Sequence, residues 1–251
     1  MKAISPVQDS NLDFDHGSFD SAAFAKAALA NWQSLAAVID HTLLKPDATR
    51  AQIENLCDEA GRYRFACVVV NPVWAATAVN ALSGTGVPVG AVIGFPLGAS
   101  LVSTLRHEAA ALTRLGVREL DMVIPIGLLK SGNHEAVQST LHSVVSVAHH
   151  HGATLKAILE TALLNTPEQL RAAEVAIQAG ADFIQTSTGF SAGGATAADV
   201  ALMRGVAGSR CGVKALGGVR RLSTIRTMLE AGANRIGASA SVAILREHGA
   251  E

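Results

Sequence analysis

The sequence predicts an α/β protein that folds as a single (β/α)8 TIM barrel, and three observations support this. The length of 251 residues suits one such barrel. Hydrophobic residues make up 49% of the chain and aromatic residues 4%, which is typical of parallel strands covered by closely packed helices. Short apolar segments alternate with helical ones, and neighbouring strand starts lie roughly 20 to 35 residues apart, the span of one strand and one helix.

The chain divides into a short leader and one domain. Residues 1–20 are predicted to be a flexible N-terminal extension, and residues 21–251 form the barrel without an interdomain linker. The segment from Ser21 to Leu35 is rich in alanine with helical spacing, so we predict a helix that caps the barrel floor. The eight predicted strands are Ala36–Asp40, Ala66–Val70, Pro88–Ile93, Glu119–Ile124, Leu155–Glu160, Phe183–Ser187, Gly212–Ala215 and Arg235–Gly237.

Helices are predicted between these strands, for example over Thr49–Arg64 and over Thr166–Ala179, where Gly180 provides a C-terminal stop. An open doubly wound sheet is the alternative parallel architecture. Such a sheet usually has a Gly-x-Gly-x-x-Gly turn after its first strand, whereas here the first strand runs into Asp40–Pro46. The glycine-rich loops follow strands six, seven and eight, where barrels often bind phosphate.

Composition argues against several classes of protein. The net charge of −1 and the absence of a basic stripe argue against a nucleic-acid partner. Three cysteines without metal-ligand spacing indicate a reducing cytoplasm. The leader carries four aspartates and no apolar run, which argues against a secretory signal, and no segment reaches the length needed to span a membrane.

Polar side chains recur at the carboxyl ends of the predicted strands, which meet at one face of a barrel. They suit acid/base and electrostatic chemistry, and we predict neither a metal nor a cofactor. The candidates on the strands are Asp40, Thr42, Cys67, Asp121, Lys156, Gln185, Thr186 and Lys214. The candidates in the glycine-bearing loops, where backbone N–H groups can approach an anion, are Gly189, Gly217, Gly218, Gly237 and Ser239.

Several strand segments resemble motifs of the deoxyribose-phosphate aldolase family, a class I aldolase family. The resemblance keeps the family's order over about residues 36 to 245 of the 251. The matching segments are Ile39–Leu44, Ile93–Gly98, Glu119–Val123, Leu155–Thr161, Ala181–Phe190, Gly212–Arg220 and Arg235–Ser239.

The resemblance implies reversible cleavage of 2-deoxyribose 5-phosphate to glyceraldehyde 3-phosphate and acetaldehyde. In that reaction a lysine forms an imine with the sugar, and the imine accepts electrons as the C3–C4 bond breaks. By resemblance, Asp121 is the acid/base carboxylate and Lys214 the second lysine. Asp40 and Thr42 lie near the substrate hydroxyls, and the glycine loops bind phosphate. The family resemblance also implies a homodimer.

Gln185 occupies the position of the family's imine-forming lysine. An amide nitrogen shares its lone pair with the carbonyl group and cannot attack an aldehyde. In the family, two ammonium groups about 4 Å apart would repel by roughly 4 kcal/mol at an effective dielectric constant of 20. That repulsion lowers an amine pKa by up to roughly three pH units. Without that neighbour Lys214 is expected to stay protonated, and Lys156 is expected to pair with Asp121 or Glu160.

The sequence therefore predicts an aldolase pocket with little or no aldolase turnover. Two alternatives stay open: a sugar-phosphate binding paralogue without catalysis, and a barrel lyase or isomerase that uses Asp121 and Lys214. Two origins of Gln185 also fit, a deliberate substitution and a natural paralogue. Phe190 and Ala240 stand where some family members carry lysine and serine, so phosphate affinity is expected to depend more on the backbone than on charge.

Overall fold

The computed structural model of the chain describes residues 19–251. Eight parallel strands form a closed barrel in sequence order, and β8 pairs with β1 to close it. The predicted (β/α)8 barrel is therefore confirmed. The strands are β1 Ile39–Leu43, β2 Cys67–Val70, β3 Val89–Ile93, β4 Glu119–Val123, β5 Thr154–Ile158, β6 Phe183–Gln185, β7 Gly212–Leu216 and β8 Arg235–Ala238.

Eleven α-helices accompany these strands in the described residues. Two further 3-10 turns cover Pro72–Trp74 and Thr161–Leu163. The α-helices are α1 Ser21–Ala28, α2 Trp32–Ala36, α3 Arg50–Tyr63, α4 Ala75–Ala81, α5 Val102–Arg114, α6 Ile126–Lys130, α7 His134–His150, α8 Thr166–Gln178, α9 Ala197–Ala207, α10 Leu222–Glu230 and α11 Ser241–Glu247.

The N-terminal region differs from the single predicted helix. Two helices, α1 and α2, are separated by a break, because the Asn31 side chain caps α2 by accepting from the Ser34 N–H at 2.8 Å. As α2 extends to Ala36, the first strand begins at Ile39, three residues later than predicted. Of the predicted extension 1–20, residues 1–18 lie outside the described residues, and Asp20 caps α1.

Helices α3 and α8 begin close to their predicted positions, and each starts with a capping box. Thr49 and Gln52 satisfy each other's backbone N–H groups at the start of α3, and Asn165 and Glu168 do so at the start of α8. In residues 19–251 no helix combines the length and the apolar character that crossing a membrane requires.

Alternate residues of each strand point into the barrel. Asp40 on β1 contacts Lys214 on β7 and Lys156 on β5, although β1 pairs only with β2 and β8. Side chains from strands that are not neighbours can meet only in the interior. The barrel therefore carries charged groups through its centre, below the face at which its strands end.

Candidate active site

Two fully buried lysines occupy the centre of the barrel. The Lys214 Nζ lies 2.6 Å from Asp40 Oδ2 and 2.6 Å from Asp121 Oδ2. The Lys156 Nζ lies 2.8 Å from Asp121 Oδ1 and 3.4 Å from Asp40 Oδ2, and it also contacts Glu119. Each ammonium group therefore meets at least two carboxylates, and Lys156 pairs with Asp121 rather than with Glu160.

Glu119 and Arg235 extend this arrangement toward the barrel floor. Neither is among the site residues predicted from the sequence. Arg235 donates from Nη1 to Asp40 Oδ1 at 2.8 Å and lies 3.4 Å from Glu119 Oε1 through Nη2. Strand alternation could have identified both, because each lies two residues before a predicted site residue, Asp121 or Gly237, on the same face. We call the set the ionic cluster: Asp40, Glu119, Asp121, Lys156, Lys214 and Arg235.

The surroundings of the cluster shift the pKa values of its members. Burial raises the pKa of Asp40 and of Asp121, but Lys156 and Lys214 outweigh burial and bring both pKa values below their usual range. Burial lowers the pKa of Lys156, but Asp121, Asp40 and Glu119 outweigh it and raise that pKa well above the usual value. Lys156 is therefore an ammonium ion at neutral pH and carries no free lone pair.

One group of potential metal ligands occurs among the described residues, and a lysine occupies its centre. Ligand atoms of Asp40, Cys67 and Glu119 lie within 4.8 Å of one another. Lys156 contacts both carboxylates, so its ammonium already supplies the cation. Burial raises the pKa of the Cys67 thiol well above its usual value, which disfavours the thiolate that metals bind. The donor set fits a lysine rather than a metal.

Gln185 lies at the end of β6 and is fully buried. Its Nε2 donates to the Ser187 carbonyl oxygen at 2.9 Å, while its Oε1 has no hydrogen-bond partner within residues 19–251. In register it pairs with Ile158 on β5 and Lys214 on β7. A buried acceptor without a donor costs about 1–3 kcal/mol, so a hydrogen-bonding ligand would be favoured next to it.

A cavity of about 330 Å³ opens above the ionic cluster at the carboxyl ends of β1, β7 and β8. The residues that line the cavity stand two positions further along the strands than the cluster residues, a rise of roughly 7 Å. For example, Thr42 lies two residues after Asp40, and Leu216 lies two residues after Lys214. Six of the predicted residues line the cavity: Thr42, Gly189, Gly217, Gly218, Gly237 and Ser239.

The other predicted residues lie below or beside this cavity. The Asp40, Asp121, Lys156 and Lys214 side chains form the cluster, and Cys67 is fully buried in the interior. The Thr186 Oγ1 donates to the Leu216 carbonyl at 2.9 Å and accepts from the Leu216 N–H at 3.1 Å. Its hydroxyl therefore joins β6 to β7 and is not available to a ligand.

The cavity is also lined by residues that are not among the predicted site residues, including Lys45, Phe190 and Arg220. Phe190 is 51% exposed, and its ring meets that of Phe95 edge-on at a centroid distance of 5.3 Å. Arg220 is exposed and forms no ion pair with any described residue. An arginine after a glycine loop is the signal that could have identified this cation.

Glu160 supports the loop that follows β6. It is buried in a left-handed backbone conformation with φ of 56°. Its Oε2 accepts from the Thr188 N–H at 3.2 Å and from the Thr188 hydroxyl at 2.5 Å. Such a conformation costs about 1–3 kcal/mol for a residue other than glycine, so the surrounding contacts hold it in place. Glu160 thereby positions Thr188 and Gly189 at the cavity.

Gly237 is a position where a side chain is expected to damage the cavity. An added Cβ would lie 2.5 Å from Leu216 Cδ1 and 2.9 Å from Cγ, so the Leu216 side chain, which lines the cavity, would have to move. We expect Gly237→Ala to lower the free energy of unfolding in urea by about 1–3 kcal/mol. As a control, Gly205→Ala on α9 meets nothing within 4 Å and is expected to stabilise the helix by about 0.5–1 kcal/mol. Equal stability of the two variants would contradict this account.

Comparison with known proteins is consistent with the fold and the strand motifs. Residues 34–248 match the DeoC/LacD family aldolase profile. A deoxyribose-phosphate aldolase of Geobacillus sp. (strain WCH70) is 51% identical over 212 residues, 84% of this chain and 95% of that protein. The solved deoxyribose phosphate aldolase of Aeropyrum pernix, described as tetrameric, has 34% identity and a TM-score of 0.84, covering 91% of this chain and 96% of its own. The chain belongs to the DeoC/LacD aldolase family.

Proposed function

We propose that this chain binds 2-deoxyribose 5-phosphate in the mouth of its barrel and that Gln185 disables the imine step of the aldolase reaction. The observation that carries the proposal is the combination of a glycine-lined cavity with an interior in which both lysines are bound to carboxylates. Relatives about half identical to this chain are named deoxyribose-phosphate aldolases, which supports the substrate.

The proposed binding mode divides the sugar phosphate between the cavity and the cluster. The phosphate lies against the loops of Gly189, Gly217 and Gly218, whose φ values of 80°, 104° and 76° favour glycine. Because glycine has no side chain, an anion can approach the backbone closely at these positions. Arg220 adds a positive charge at this end. The sugar hydroxyls extend toward Thr42 and, below it, Asp40.

The retained polar residues can still hold and polarise a carbonyl compound. Asp121 is the proposed acid/base group acting through water, and Lys214 the proposed cation near the reacting carbon. Neither lysine replaces the missing nucleophile, because an ammonium held by two carboxylates has no lone pair to share. The proposal thus describes an aldolase-type lyase site with little or no turnover. A cytoplasmic location and a homodimer remain predictions.

Two measurements on the unaltered chain test the proposal. Calorimetric titration is expected to show binding of 2-deoxyribose 5-phosphate and much weaker binding of 2-deoxyribose, which lacks the phosphate. Borohydride reduction followed by intact-mass measurement is expected to show no adduct, and no acetaldehyde is expected to form. A reduced adduct on Lys156 or Lys214, or the absence of any phosphate-dependent binding, would overturn the proposal.

A lyase or isomerase that uses Asp121 and Lys214 for proton transfer is the second candidate. The short contact of 2.6 Å between these two groups favours it, because such a pair can exchange a proton with a ligand. This candidate requires that the unaltered chain convert the sugar phosphate. It also requires that the rate be independent of the residue at 185.

A further inference from the structure

We propose that Lys45 is a phosphate-binding residue of this site and acts together with Arg220 across the cavity. This inference rests on the proposed function and deepens it. The observation that carries it is the presence of two cations from distant segments, on the loops after β1 and β7, in the lining of one cavity.

The structure places Lys45 at the cavity and fixes the chain beside it. Lys45 lies two residues after the end of β1, and the Asn71 Nδ2 donates to the Leu44 carbonyl oxygen at 3.0 Å. This bond joins the loop after β1 to the end of β2. Pro46 follows and restricts the backbone of Lys45. The side chain of Lys45 therefore starts from an ordered position at the mouth of the barrel.

Neither cation is neutralised by a neighbour. Lys45 and Arg220 are both exposed, and neither forms an ion pair with any residue in the range 19–251. The ionic cluster below contains three cations and three carboxylates in mutual contact, so it adds no net charge to the mouth. The positive charge available to a ligand in this cavity is that of Lys45 and Arg220.

The charge of a phosphate ligand favours more than one cation at the site. A phosphate monoester carries about −1.5 to −2 charges at pH 7. Arg220 supplies one positive charge, and two residues near the glycine loops, Phe190 and Ala240, supply none. Phe190 packs on Phe95 and forms an apolar wall after β6. Another loop supplies a second cation, because Lys45 lines the cavity from the segment after β1.

Lysine suits this position because its ammonium is a point charge on a flexible stem that can follow a phosphate oxygen. The hydrogen bond between an ammonium and a phosphate is charge-assisted and therefore stronger than one between neutral groups. The loss of Lys45 therefore predicts a fall in phosphate affinity of roughly tenfold to a hundredfold. The effect should also shrink with added salt, because the cation is exposed.

Calorimetric titration with inorganic phosphate and with 2-deoxyribose 5-phosphate tests the inference on the full chain. Lys45→Met is expected to weaken both ligands by roughly tenfold or more, whereas Lys45→Arg retains most of the affinity. The matched control is Lys26→Met, which removes the same charge from an exposed position of α1, away from the residues that line this cavity. It is expected to bind as the unaltered chain does. Unchanged thermal unfolding of Lys45→Met shows that the variant is folded.

The outcomes separate this inference from the proposed function. If Lys45→Met binds both ligands as tightly as the unaltered chain while Arg220→Gln binds them weakly, the role of Lys45 is refuted and the phosphate site stands. Equal losses in Lys45→Met and Lys26→Met also refute it, because they reflect net charge alone. If the unaltered chain binds neither ligand, both proposals fail. If Lys45→Met and Arg220→Gln lose affinity for both ligands and Lys26→Met does not, the result supports phosphate binding by Lys45 together with Arg220.

Discussion

Replacing Gln185 by lysine is expected to produce a chain that forms a borohydride-reducible adduct with 2-deoxyribose 5-phosphate and cleaves the sugar. The two lysines of the barrel interior, Lys156 and Lys214, are already held by carboxylates, whereas the introduced amine would not be. Deleting a covalent nucleophile cost a serine protease about a millionfold in turnover. Supplying the nucleophile is therefore expected to raise turnover by at least about a thousandfold and at most about a millionfold.

The structure changes the explanation of how such an amine would lose its proton. An isolated ammonium at Lys214 would lower the pKa of a nearby amine by up to roughly three pH units. In the structure, Asp40 and Asp121 each lie 2.6 Å from the Lys214 Nζ, and their charges offset its field. Burial remains as the main cause that would lower the pKa of an amine at 185, since the site is 1% exposed. The lowering of that pKa by Lys214 should therefore be smaller than roughly three pH units.

Intact-mass measurement after borohydride reduction, together with a coupled assay for glyceraldehyde 3-phosphate, provides the test. Gln185→Met is the matched control, because it retains a side chain of similar length without an amine. It is expected to show neither adduct nor turnover. The proposal fails if Gln185→Lys folds and binds the sugar phosphate but forms no adduct. Equal turnover with glutamine, methionine and lysine at 185 would favour the lyase or isomerase that uses Asp121 and Lys214.

The sequence predicted the barrel well because strand alternation and strand spacing are local properties of the chain. All eight predicted strands overlap strands of the structure. The first was placed too early because Ala36 can end a helix as easily as begin a strand. The break between α1 and α2 depends on the cap at Asn31, which alanine-rich spacing conceals.

Predictions for the site depended on contacts between distant segments. Their residue types and their positions near strand ends identify Asp121, Lys156 and Lys214 as site residues. These features do not predict which side chains each of them contacts. Glu119 and Arg235 lie at the starts of β4 and β8 and still belong to the cluster. The rule that active-site residues gather at the carboxyl ends of the strands does not predict them. Thr186 stands at a strand end as expected, yet the backbone of Leu216 occupies its hydroxyl. Such competition between partners becomes visible only when the strands are placed side by side.

Lys156→Met is expected to have the largest effect on stability. The substitution would leave Asp40, Glu119 and Asp121 close together in the interior with two cations instead of three. Removing one partner from a buried ion pair typically costs about 3–5 kcal/mol, because the remaining charge loses its compensation. Lys130→Met is the control: Lys130 is 46% exposed and pairs with Glu168 at 2.9 Å, so its loss should cost about 1 kcal/mol or less.

The dependence on pH distinguishes this electrostatic explanation from a simple packing defect. The pKa values of Asp40 and Asp121 are lowered in the folded chain, so the stability that they contribute is present above about pH 4 and is lost as pH falls further. The pKa of Lys156 is raised, so its contribution is present below about pH 10.4 and is lost at higher pH. The contribution of these three groups to stability is therefore constant across neutral pH.

The variant should behave differently on the acid side. Without Lys156, only Lys214 opposes burial and the neighbouring Asp40 carboxylate at Asp121, so the pKa of Asp121 rises and the folded variant takes up a proton before the unfolded chain does. Both proteins share the titration of the buried His41, so the gap between their free energies of unfolding reports the cluster, and this gap should narrow as the pH falls from 7 to about 4. Urea unfolding of both proteins at several pH values measures this difference. A constant gap between them from pH 7 to pH 4 would indicate that Lys156 acts through packing alone, because a cavity or a misfit has no proton to take up.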